Sequence, residues 1–104
     1  MINREDILSM EYLKKTEYTG CHQGMRYRLE GAAKDGEKVL KVTVWPEPFN
    51  YFNTRPEDKS ENFFTFDEDG ILDAIRWMNQ RLFEDKEKWE RASERWKEYA
   101  QLSD

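Results

Sequence analysis

Few residues in this chain are equipped for covalent or acid–base chemistry. His22 is the only histidine and Cys21 the only cysteine, and they are neighbours. A thiolate nucleophile needs a base within hydrogen-bond reach, whereas adjacent residues on an extended chain point to opposite sides. The pair therefore reads as part of an ordinary loop, 19–24, bracketed by Gly20 and Gly24. With one histidine, a two-His metal site within a single chain is excluded, and a Cys/His zinc site lacks ligands. Asp67-Glu68-Asp69-Gly70 lacks the alternating Asp/Asn positions and the twelfth-position glutamate of a calcium loop. Gln23-Gly24 has no further glycine at the spacing that cradles a pyrophosphate. No cofactor and no metal are expected.

Carboxylates are abundant, but acid–base catalysis requires two of them held across a cleft with separated pKa values. Nothing in their spacing indicates a cleft, so no catalytic residue is expected. Their distribution is more informative. The net charge is −5, and residues 57–73 alone carry −6, with Lys59 against Glu57, Asp58, Glu61, Asp67, Glu68, Asp69 and Asp73. Two readings follow. Asp67, Glu68, Asp69 and Asp73 suit the positive end of a helix dipole, with the other acids solubilising a loop. Alternatively, the stretch forms a negative surface that docks on a basic partner, such as a groove built for nucleic acid. Direct nucleic-acid binding is disfavoured by an overall pI near 5.0.

Two groups of aromatics offer further candidate contacts. Trp45, Phe49, Tyr51 and Phe52 lie beside Pro46 and Pro48. They either cap the sheet or anchor a protein partner, since aromatics dominate binding hot spots. Trp89 and Trp96, seven residues apart, either cover the domain or form a seam between two chains, which would make a homodimer.

These residues must be positioned by a single domain, since 104 residues are too few for two separate cores. A mean hydropathy of −1.06 leans toward disorder, but 14% aromatic residues can bury enough area to offset ordering entropy. Asn3 and Asp6 predict an N-cap and a helix over 4–15. Met25, Tyr27 and Leu29 alternate with Arg26, Arg28 and Glu30, which predicts a half-buried strand. A second strand, 38–45, follows the turn dipeptide Asp35-Gly36 after a longish connection, and prolines end it. After a loop over 46–61, a third strand is expected over 62–66.

Apolar residues at 3–4 spacing then predict a C-terminal helix over 69–101. Unbroken, it would be about 50 Å long, which overhangs a core of this size. Either it breaks near Glu84-Asp85-Lys86 and folds back, or its last half reaches a second chain. Its interleaved Glu, Lys and Arg residues mark a solvated face laced with ion pairs. The expected architecture is a two-layer α+β domain of order α-β-β-β-α with a three-stranded antiparallel sheet. No apolar run approaches the ~20 residues of a membrane span, and the N-terminus shows no apolar leader, so the cytoplasm is the expected compartment.

Four segments carry a resemblance: Tyr12-Leu13-Lys14-Lys15, Gly24-Met25-Arg26-Tyr27-Arg28, Lys41-Val42-Thr43-Val44-Trp45-Pro46, and residues 66–77 from Phe66 to Trp77. Together they look like a family of short uncharacterised proteins from Gram-positive gut bacteria and their mobile elements. Some members are labelled as GNAT-type acetyltransferases, which implies acetyl-CoA binding as an alternative function. The Gln/Arg-x-x-Gly-x-Gly/Ala string of that enzyme class is missing here. The overall plan is also similar in type to anti-CRISPR proteins, which are short, acidic and often without a catalytic site. Several of these inhibitors place acidic side chains where a nuclease expects DNA. The expectation is a non-enzymatic, DNA-mimicking protein-binding module, with a structural homodimer as a further alternative.

Overall fold

Along the strand Met25–Lys34, Met25, Tyr27 and Leu29 are buried while Arg26, Arg28 and Glu30 are half-buried, as period-two alternation dictates. The computed structural model describes residues 1–7, 9–46, 52 and 54–92. Within them a four-stranded antiparallel sheet is built from β1 (Tyr18–His22), β2 (Met25–Lys34), β3 (Glu37–Pro46) and β4 (Ser60–Thr65), in that spatial order. The β2–β3 register pairs Tyr27 with Val44 and Leu29 with Val42. One sheet face thereby collects Met25, Tyr27, Leu29, Leu40, Val42 and Val44, all buried.

The class is α+β, but the sheet has four strands rather than three. The expected loop over 19–24 is mostly β1, leaving only Gln23 and Gly24 as the turn into β2. Both have positive φ, 51° and 88°, which suits a tight hairpin turn. Gly20 weakens the strand signal in the sequence, yet its missing Cβ makes room for the Tyr27 ring across the strand pair. The β2–β3 connection is also tighter than expected. It is the two-residue turn Asp35–Gly36, with φ of 54° and 82°. β4 starts two residues before the expected strand and ends one residue short of it.

The expected helix over 4–15 is replaced by a 3-10 turn, Arg4–Asp6, and a short α1, Met10–Leu13. The reason is burial. Ile7 and Leu13 both enter the core, and a spacing of six residues would set them about 120° apart on one helix, too far round for both to face it. The Asn3–Asp6 capping box does form but serves one turn, after which Ile7 is extended and Ser9 caps α1.

Helix α2, Glu68–Glu84, lays Ile71, Ala74, Ile75 and Met78 on the apolar face of the sheet. It ends at Asp85, whose φ of −106° and ψ of 26° leave the helical region. Residues 86–92, here α3, are helical again. Trp89 of α3 is 2% exposed within the core cluster. Of the two expected alternatives, the break near Glu84-Asp85-Lys86 is the one seen over the described residues, and α3 folds back onto its own chain. Among the described residues no helix is long and apolar enough to cross a membrane.

Candidate interaction surface

β4 is an edge strand, so its outer side has no strand neighbour among the described residues. A 3-10 turn, Pro56–Asp58, leads into it, and Asp67 follows it as the N-cap of α2. The acid-rich stretch therefore borders one edge of the sheet and runs onto the first turns of α2. Glu57, Glu61, Asp67, Glu68, Asp69 and Asp73 are exposed, and Asp58 is half-buried.

Most of these carboxylates meet a partner within the chain. Arg55 Nε lies 3.1 Å from Asp58 and 3.8 Å from Glu57. Glu61 lies 3.5 Å from Lys41 Nζ, which is also 3.8 Å from Glu30; Glu30 in turn accepts from Arg28 Nε at 2.6 Å. This is a ladder of alternating charge across β2, β3 and β4, on the sheet face away from α2. Arg76 reaches Asp73 at 3.2 Å. Arg4 donates to both carboxylate oxygens of Glu68, at 2.6 and 3.0 Å, which holds that carboxyl below its usual range. Asp67 accepts from the Gly70 N–H at 2.7 Å and the Thr65 hydroxyl at 2.8 Å, and both lower its pKa. Asp69 has no ion pair among the described residues.

The sequence count of −6 therefore overstates the unpaired charge on this border. Asp67 and Glu68 serve the fold: one caps α2 and the other ties it to the N-terminal turn. Glu61 pairs with the half-buried Lys41, whereas Glu57, Asp58 and Asp73 sit in surface ion pairs of the kind typically worth ~0–1 kcal/mol.

The aromatic candidates separate. Phe52 is 79% exposed, with the Arg28 guanidinium 5.4 Å from its ring centroid. Trp45 belongs to β3 and is fully buried. Phe49, Tyr51 and Trp96 lie outside the described residues. Trp89 covers its own domain and donates its indole N–H to the Arg81 carbonyl at 3.1 Å, so its ring does not form a seam with a second chain in this conformation. Cys21 and His22 are successive residues of β1, so their side chains lie on opposite faces. Among the described residues no group of three or more His, Cys, Asp or Glu is placed to hold a metal.

Two features escaped the sequence reading. Leu72 and Phe83, on α2, are 43% and 81% exposed. Eleven residues is close to three helical turns, so they share one side of the helix. The second is an open groove of about 220 Å³ beside the end of α1, lined by Lys14, Lys15 and Lys38 with Glu17 and Glu30. Its residues come from three separate segments, and no local pattern reports that convergence.

No protein-family model, curated protein or solved structure matches this chain.

Proposed function

We propose that this chain is a non-enzymatic protein-binding module that offers its acidic border to the basic surface of a nucleic-acid enzyme, in the manner of an anti-CRISPR inhibitor of phage or mobile-element origin. The observation that carries this reading is position. Glu57, Glu61, Asp69 and Asp73, which neither cap α2 nor tie it to the N-terminal turn, are exposed along the β4 edge and the first turns of α2. Complementary potential at such a border steers encounter and sets orientation, and a dense cationic groove can replace Arg55, Lys41 and Arg76 as the counter-charge. Phe52, exposed beside Arg28, supplies an aromatic contact near the same loop.

The test removes charge without removing caps. Glu57→Gln, Glu61→Gln and Asp69→Asn are combined, and wild type and variant are used as bait in a host lysate at low and high salt. A basic nucleic-acid enzyme should be retained by the wild type at low salt, released at high salt and lost from the variant, with the thermal midpoint preserved. Equal retention by both baits would overturn the assignment of this surface. Retention of a partner that is neither basic nor salt-sensitive would overturn the reading itself.

A further inference from the structure

Helix α3 is joined to α2 through one residue. The Asp85 N–H bonds the Arg81 carbonyl at 3.0 Å, and the Trp89 N–H bonds the Asp85 carbonyl at 3.2 Å. The i→i−4 ladder therefore passes through Asp85 from both sides, although its own dihedrals are not helical. Returning them to helical values would merge α2 and α3 into one rod over 68–92, about 37 Å long, with no loss from that ladder. The charged pairs of α3, Lys86–Glu90 and Glu87–Arg91, are internal and would travel with it.

Opening gives up the seat of α3 on the domain. Trp89 is 2% and Ala92 1% exposed, and the indole N–H loses the Arg81 carbonyl. The Trp89 carbonyl also leaves Gly24, where a Cβ would collide with it. Every one of these contacts can be remade in trans by an identical chain.

We propose that a second copy of this chain is a binding partner, with α3 of each protomer swinging out at Asp85 to dock Trp89 beside Gly24 of the other. The seat argues for this occupant. Its bare Gly24 backbone and its Arg81 carbonyl, which takes the indole N–H beside the Asp85 N–H, already match this helix. Exchange of an identical element costs little beyond the loss of independent motion, and a one-residue hinge favours it. The exchange is independent of the acidic border and goes beyond the function proposed above.

Light scattering of the full chain over a concentration series, after unfolding and refolding at high concentration, tests this. Wild type should populate a dimer at the upper end. D85A should dimerise about tenfold more tightly, because alanine favours the helical hinge in both protomers. Insertion of Gly-Gly-Ser after Asp85 should slacken the hinge and keep the chain monomeric. In the D85A dimer, isotope-filtered NOEs should connect Trp89 of one protomer to Gly24 of its partner. A monomeric D85A at every concentration would overturn the proposal. A dimer whose Trp89–Gly24 NOEs remain within one chain would do so too.

Discussion

The carbonyl oxygen of Trp89 occupies the space in which a side chain at Gly24 would begin. A turn near the start of the chain and the last described helix are thereby locked to one another. Gly24 also holds φ at +88°, so two separate constraints act on one residue.

Gly36 provides the comparison, since its φ is +82° but nothing lies within 4 Å of a Cβ there. Gly36→Ala should cost only the left-handed backbone penalty, about 1–2 kcal/mol, and Gly36→Asn less. Gly24→Ala adds displacement of α3 and should cost roughly 3 kcal/mol or more. Urea denaturation of the three variants would show equal midpoints for Gly24→Ala and Gly36→Ala if the Trp89 contact were unimportant.

Asn79 clamps the N-terminal segment to α2. It accepts from the Ile2 N–H at 2.8 Å and donates to the Ile2 carbonyl at 3.0 Å. Asn79→Ala leaves both backbone groups without that partner and should cost about 1–3 kcal/mol. Amide exchange at Ile2 should accelerate more than at the centre of β3.

Acid should loosen the start of α2. The folded-state pKa values of Asp67 and Glu68 lie below the ordinary 3.8 and 4.5. The stability they contribute is complete above those ordinary values and is lost as pH falls through the lower folded ones. Thermal midpoints of wild type should fall in that acid window, and the double variant Asp67→Asn, Glu68→Gln should show a flatter acid limb.

Alkali acts through Tyr27. Burial, with Tyr18 adding to it, pushes its phenol up to about 12. Its contribution is intact below pH ~10 and is lost as pH rises toward the folded value. Ultraviolet titration should find Tyr27 ionising late, together with unfolding. Tyr27→Phe should remove that late step.

The edge strand is guarded by its own side chain. Asn62 Oδ1 takes the Phe63 N–H at 2.8 Å, blunting β4 as a template for strand addition. Asn62→Val should leave thermal stability nearly unchanged but raise the aggregation rate on storage. An unchanged rate by light scattering would show that the edge is protected by other means.

The residues that declared themselves in the sequence were those governed by neighbours two to four positions away. The alternation in β2 and the apolar stripe of α2 arise from local periodicity and are found where expected, and the break at Asp85 is one of the two outcomes that the length of the helical pattern left open. Helix 4–15 was misread because a real capping box says where a turn begins but not how far it continues.

Composition and short-range spacing determined the α+β class, the inner and outer faces of β2, and the location of the excess acid. Tertiary structure alone decided the fourth strand, where Gly20 is tolerated because Tyr27 needs its space. It alone decided that Trp89 turns back to Gly24, and that Arg4 finds Glu68 across 64 residues. Local patterns record the preferences of a segment, whereas a side chain's charge partner or packing neighbour depends on which distant segment the whole fold brings alongside it.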